Sequence, residues 1–220
     1  MKIEASFITS AASASDLPRG ELAEIVLAGR SNVGKSSLIN ALVRRALART
    51  SAAPGKTRLA NVYRVTRDSA PPIHLVDLPG YGYARAQRAE GTGQQPTFDA
   101  IAQAVFARSP AALLLVDSRH PGLESDRAAW EWVSSAAADV GVVATKIDKL
   151  TRGERIRALR QLESVYGTVV PVSVATGEGM DELWTLINRL ANPAPRNSSR
   201  LPRSPTATGR PPSKVEGPKR

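Results

Sequence analysis

Gly29-Arg30-Ser31-Asn32-Val33-Gly34-Lys35-Ser36 follows the short apolar run Ile25-Val26-Leu27-Ala28 and opens a helix-compatible stretch from Lys35 to about Ala46. A buried strand, a loop with the spacing G-x-x-x-x-G-K-[ST] and a helix, in that order, form a cradle for phosphate. The glycines let backbone N–H groups wrap an anion, and the helix N-terminus adds favourable partial charge. Lys35 is expected to reach β- and γ-phosphate oxygens, and Ser36 to offer its hydroxyl to Mg²⁺.

The alternation continues on both sides of this loop. Asn61 to Thr66 and Ile73 to Val76 read as a strand hairpin about the turn Asp68-Ser69-Ala70-Pro71-Pro72. Ala111 to Val116, Val140 to Ala144 and Thr168 to Val172 read as further strands. Phe98 to Ala107, Glu124 to Ala138, Arg152 to Ser164 and Met180 to Leu190 read as helices. Such a pattern predicts an α/β domain with a mostly parallel six-stranded sheet covered by helices on both faces. Residues 1–22 are a lead-in that can supply an extra edge strand, 23–192 form the domain, and 193–220 form a tail.

Two more segments decide which nucleotide the cradle serves. Thr145-Lys146-Ile147-Asp148 ends a strand and fits [NT]-K-x-D. Asp148 can accept two hydrogen bonds from guanine, N1–H and the 2-amino group; adenine offers neither, so an unpaired carboxylate penalises it. The Lys146 stem is expected along the ring, Thr145 to brace the loop, and a backbone N–H of Val172-Ser173-Val174 to meet the guanine O6. Asp77-Leu78-Pro79-Gly80 fits D-x-x-G after a strand: Asp77 for Mg²⁺ through water, the Gly80 N–H for the γ-phosphate. Between the phosphate loop and Asp77 lies Gly55-Lys56-Thr57-Arg58-Leu59, where Thr57, ahead of Thr50 and Thr66, can give Mg²⁺ a second hydroxyl.

Together these segments describe a P-loop NTPase with a Ras-like G domain that hydrolyses GTP to GDP. Lys35, Thr57, Gly80 and Asn32 are the residues expected to act in the chemistry. Tyr81 stands where Ras carries the glutamine that orients water, so turnover on the order of 10⁻⁴ to 10⁻² s⁻¹ is expected. Asn32 is a candidate K⁺ ligand, the cation taking the place of an arginine finger. His74 reads as a packed strand residue, His120 as a loop residue, and Trp130, Trp132 and Trp184 as helix packing.

The chain has 220 residues, no Cys and a net charge of +10. The absence of Cys excludes a disulfide framework and Cys-based zinc sites. The longest apolar run, Ala111 to Val116, is far below the ~20 residues of a membrane span. No secretory signal is legible at Met1 to Ser6, and a cytoplasmic monomer without membrane contact is expected. From Pro193 onward seven basic residues stand against one acid, and seven of the sixteen prolines fall here. That composition reads as a disordered tail, either a solvated segment or a polyanion-binding one.

The string from Gly29 through Ser37-Leu38-Ile39-Asn40-Ala41-Leu42 resembles the EngB family of bacterial Era-like GTPases. So do Ala48-Arg49-Thr50-Ser51 with Pro54-Gly55-Lys56-Thr57, Val76-Asp77-Leu78-Pro79-Gly80-Tyr81-Gly82-Tyr83-Ala84, and Leu115-Val116-Asp117-Ser118-Arg119-His120. The resemblance spans about residues 5 to 190. It implies a G domain with an added N-terminal strand, Ser36 and Thr57 on Mg²⁺, rRNA and ribosomal proteins of the large subunit as partners, and roles in large-subunit assembly, cell division and septation. The chain departs from the family pattern at Arg58 and across Arg85 to Pro96, which is rich in Gly and Gln and lacks the family's Trp. The alternative is a signalling or scaffold G protein that gates a protein partner at the division site without touching the ribosome.

Overall fold

Each apolar run flanked by a helical segment becomes one strand of a single sheet. The computed structural model describes residues 2–49, 59–81 and 100–193. The strands are β1 (Ile3–Ala11), β2 (Glu24–Gly29), β3 (Ala60–Arg67), β4 (Ile73–Asp77), β5 (Ala111–Asp117), β6 (Val140–Thr145) and β7 (Val169–Pro171). The helices are α1 (Lys35–Val43), α2 (Ala100–Phe106), α3 (Glu124–Ala136), α4 (Arg152–Tyr166) and α5 (Met180–Ala191). The sheet has seven strands in the order β1-β3-β4-β2-β5-β6-β7. β4, β2, β5, β6 and β7 run parallel, and β3 is antiparallel to β4, as the hairpin reading required. The lead-in supplies the extra edge strand: β1 pairs antiparallel with β3 from Ile3↔Arg67 to Ala11↔Ala60.

The central strands are buried at nearly every position because helices cover both faces. Their side chains divide by the period of two. Val26, Ala28, Val76, Leu114, Val116 and Val142 pack against α2, α3 and α4 through Ile101, Val105, Val133 and Leu162. Ile25, Leu27, Leu75, Leu113, Leu115 and Val143 pack against α1 and α5 through Leu38, Leu42, Leu183 and Ile187. The tryptophans are packing residues: Trp130 meets Tyr166 edge-on at 5.5 Å, Trp132 meets Phe106 at 4.7 Å, and Trp184 lies buried beneath Arg67. His74 is buried in β4 and His120 is exposed. No helix among the described residues is long and apolar enough to cross a membrane.

Two boundaries differ from expectation for local reasons. α1 stops at Val43 rather than near Ala46, because Arg44 turns left-handed (φ 55°). The Asn40 amide then folds the chain back, accepting from Leu47 N at 2.9 Å and Ala48 N at 2.7 Å and donating to Ala48 O at 2.8 Å. The last strand ends at Pro171 rather than Val172: Val172 N still donates to Ala144 O at 2.8 Å, but Val172 O then accepts from Ile147 N at 3.4 Å, in the turn beyond β6, and the ladder stops.

The order of strands reverses at β2, which lies between β4 and β5. In open α/β sheets a crevice opens beyond the strand C-termini at such a point. Because β2, β4, β5 and β6 are parallel, the loops beginning at Arg30, Leu78, Ser118 and Lys146 leave the same edge of the sheet.

Candidate functional site

The loop between β2 and α1 is shaped by two left-handed residues, Asn32 (φ 62°) and Gly34 (φ 114°). No atom lies within 4 Å of where a Cβ on Gly34 would stand, so it is the dihedral that asks for glycine. Gly34 caps α1 and its carbonyl accepts from Leu38 N at 2.8 Å. The Lys35 ammonium is buried and donates to its own loop, to Gly29 O at 2.9 Å and Arg30 O at 3.2 Å. Burial lowers its pKa to about 8, and Asp77 only partly offsets this. A cation held at this cost is a ready counter-charge for an anion in the loop.

Ser36 Oγ donates to Asp77 Oδ2 at 2.7 Å. Asp77 is buried, and its Oδ1 has no hydrogen-bond partner among the described residues. Burial raises its carboxyl pKa, countered by Lys35 and Ser36. A hydroxyl beside a carboxylate with one oxygen unsatisfied suits a hard divalent cation such as Mg²⁺, which takes few protein oxygens and completes its shell with phosphate and water. The residues therefore fit that ion, although no group of three or more His, Cys, Asp or Glu among the described residues forms a self-sufficient metal site.

Gly80 lies directly on the phosphate loop. A Cβ added to it would stand 2.6 Å from Ser31 N and 2.7 Å from Ser31 Oγ, so only glycine fits this approach. Ser31 N donates to Tyr81 O at 3.3 Å, and Arg30 and Tyr81 form an isolated parallel bridge.

The segment expected to read the base, Thr145 to Asp148, is tied to the same loop from the far side. Thr145 Oγ1 donates to Val33 O at 2.8 Å and Val116 O at 3.2 Å. Lys146, left-handed at φ 62°, donates from Nζ to Asn32 O at 2.6 Å. A 3-10 turn, Ile147–Lys149, then presents Asp148 half-buried. Ser173 Oγ donates to Asp148 Oδ1 at 2.8 Å and accepts from Thr176 N at 3.1 Å. The Ser173 hydrogen bond is the main reason the Asp148 carboxyl lies below its ordinary pKa, and Lys149 Nζ at 3.3 Å adds to it. Val172 O accepts from Ile147 N at 3.4 Å, Ser173 is buried, and Val174 is exposed. Gly29 to Ser36, Asp77 to Gly80, Thr145 to Asp148 and Val172 to Val174 thus converge on one edge. Leu59 is exposed at the head of β3; Gly55, Lys56, Thr57 and Arg58, the stretch 85–96 and residues 194–220 lie outside the described residues.

Two acids that sequence reasoning gave no role hold the loops together. Asp117 ends β5, a run otherwise apolar throughout. It accepts from Lys146 Nζ at 2.9 Å, Arg119 Nε at 2.9 Å and the Arg119 guanidinium NH₂ at 2.8 Å. Burial pushes its carboxyl up, but the Arg119 and Lys146 hydrogen bonds outweigh it and hold the group well below the usual range. Asp126, on α3, accepts at one oxygen from both Arg30 Nε and Tyr81 OH, each at 3.0 Å. Burial raises its pKa and Arg30 opposes the rise. The legible signal was an acid on a buried helical stripe, since Asp126, Ala129 and Val133 share one face.

Fold and site together define a P-loop GTPase. A family model described as 50S ribosome-binding GTPase matches residues 24–146. The probable GTP-binding protein EngB of Pelotomaculum thermopropionicum is 42% identical over 196 residues, 86% of this chain and 96% of that one. The chain belongs to the EngB family of GTP-binding proteins and hydrolyses GTP. Among solved structures, Era in complex with MgGDPNP and nucleotides 1506-1542 of 16S ribosomal RNA superposes with a TM-score of 0.62 at 21% identity, covering 80% of this chain and 59% of that one. NFeoB from S. thermophilus bound to GDP·AlF4⁻ and K⁺ superposes with a TM-score of 0.56 at 22% identity, covering 77% of this chain and 62% of that one. These two likenesses carry the fold.

Proposed function

We propose that this GTPase is a nucleotide-driven switch in large ribosomal subunit assembly, acting as a cytoplasmic monomer, and that normal cell division and septation depend on it for that reason. The GTP form docks on immature large-subunit rRNA and ribosomal proteins, and hydrolysis releases it. The observation that carries the reading is the match to a family described by 50S ribosome binding, in a chain whose net charge of +10 favours polyanions. Co-sedimentation with large-subunit precursors tests it: binding with a non-hydrolysable GTP analogue and not with GDP is expected. Equal recovery in both states, or none in either, sinks the reading and leaves the protein-gating alternative.

In this reading Lys35 moves its hydrogen bonds from Gly29 O and Arg30 O to β- and γ-phosphate oxygens, and the backbone of Gly29 to Gly34 wraps the rest. Ser36 and Thr57 through their hydroxyls and Asp77 through water would hold Mg²⁺, which when bound would supply neutralising charge to the phosphates. Gly80 offers its N–H to the γ-phosphate, so the stretch that follows it senses the nucleotide state. Asp148 takes guanine N1–H and the 2-amino group, Lys146 flanks the ring, and the backbone of Val172 to Val174 meets O6.

Tyr81 gives its hydroxyl proton to Asp126, so that hydroxyl is not left to donate to an attacking water as the Ras glutamine does. Asn32, in the phosphate loop, is the proposed K⁺ ligand, the ion supplying positive charge where hydrolysis needs it. Turnover in K⁺ is expected to exceed turnover in Na⁺ by about tenfold or more. Equal single-turnover rates in the two salts exclude it.

A further inference from the structure

Arg30 belongs to the phosphate loop, Tyr81 follows the γ-phosphate glycine, and Asp126 stands on α3; the three meet at one buried oxygen. Because Arg30 and Tyr81 are bridge partners in parallel register, their side chains leave the same side of the paired backbone. Both reach Asp126 Oδ1, at 3.0 Å each. Asp126 is 1% exposed and shares its helical face with Ala129 and Val133, both 0% exposed, so α3 offers it as a fixed post.

The direct contacts between the two loops are long. Ser31 N to Tyr81 O is 3.3 Å and Ser31 Oγ to Gly80 O is 3.5 Å, at the weak end for hydrogen bonds. The Tyr81–Asp126 bond, from a buried phenol to a carboxylate, is the stronger restraint on this segment. We propose that Asp126 is a positioning residue for the γ-phosphate contact: by gripping Tyr81 and Arg30 together it fixes the Gly80 N–H at the rim of the phosphate loop before GTP arrives. GDP has no γ-phosphate and makes no demand on Gly80, so the grip favours GTP over GDP. This rests on the reading of Gly80 as the residue that meets the γ-phosphate.

The test is equilibrium binding of a non-hydrolysable GTP analogue and of GDP to the full chain in wild-type, Tyr81→Phe, Asp126→Asn and Gly80→Ala forms. Tyr81→Phe keeps the ring in the core and removes only the hydroxyl. It is expected to weaken the GTP analogue about tenfold, with GDP affinity changed by less than about twofold, because Gly80 then spends most of its time away from the competent position. Asp126→Asn, which keeps an acceptor oxygen and loses the charge, is expected to shift the ratio the same way by less. The retained GDP affinity reports that Tyr81→Phe and Asp126→Asn are folded. An unchanged GTP-to-GDP ratio in either variant overturns the proposal, whether both affinities fall together or neither moves. Gly80→Ala separates the layers: if it alters the ratio and Tyr81→Phe does not, the positioning role alone fails; if neither does, the reading of Gly80 fails with it.

Discussion

Lys35→Met is expected to yield a nucleotide-free protein more stable than the wild type and nearly unable to bind GTP or GDP. The wild-type ammonium is buried with a pKa lowered to about 8, chiefly by burial. Folding therefore disfavours its charged form. Below about pH 8 both folded and unfolded chains carry the proton and the full cost is present. Between about pH 8 and the ordinary value of 10.5 the folded chain has shed a proton that the unfolded chain keeps, so this group's contribution to stability rises with pH. A depression of that size corresponds to roughly 3 kcal/mol. Methionine removes the buried charge but leaves the Gly29 and Arg30 carbonyls without their donor, so a net gain of about 1–2 kcal/mol near neutral pH is expected. Urea denaturation at pH 7 and pH 9.5 checks this: the variant's advantage is expected to shrink at the higher pH. Nucleotide affinity is expected to fall on the order of 10²- to 10³-fold, since a charge-assisted contact to phosphate in a dry site is lost. A variant that is less stable than wild type at pH 7, or that keeps GDP affinity, contradicts the account.

How much of this was legible in the sequence depends on how local each feature is. The phosphate loop was readable because strand, glycines, lysine and helix start are contiguous. The parallel sheet was readable because strands such as β5 are apolar at nearly every position, the mark of burial on both faces. The end of α1 was not, because it is set by the Asn40 side chain reaching past the helix to residues 47 and 48. Nor was the contact of Lys146 with Asn32 O legible, since it joins residues 114 positions apart. Asp117 and Asp126 were hidden for the same reason: each is an ordinary acid until the fold brings Lys146 and Arg119, or Arg30 and Tyr81, to it. The segment with Thr57 lies outside the described residues, so that assignment stands on the sequence pattern and the family resemblance.

The second large effect concerns base choice. Asp148 is oriented by Ser173 at 2.8 Å and kept below its ordinary pKa by that bond, so in the proposed reading it would meet a base as a charged, acceptor-only group. Guanine matches it with two donors. Replacing one carboxylate oxygen with an amide NH₂ sets a donor against a donor and leaves part of the purine edge unpaired; xanthine, with a carbonyl at the 2-position, accepts from that same amide. Asp148→Asn is therefore expected to lose GDP affinity by about 10²-fold or more and to gain affinity for xanthosine diphosphate by a similar factor.

Thr145 and Lys146 are bonded to Val33 and Asn32, which ties the segment of Asp148 to the phosphate loop, as the proposal that one nucleotide spans both requires. Titration of wild type and Asp148→Asn with GDP and xanthosine diphosphate, side by side, tests that claim most directly. The account predicts that the order of affinities inverts between the two proteins. Two proteins that both prefer GDP to the same degree would show that Asp148 does not read the base of the nucleotide held at Lys35.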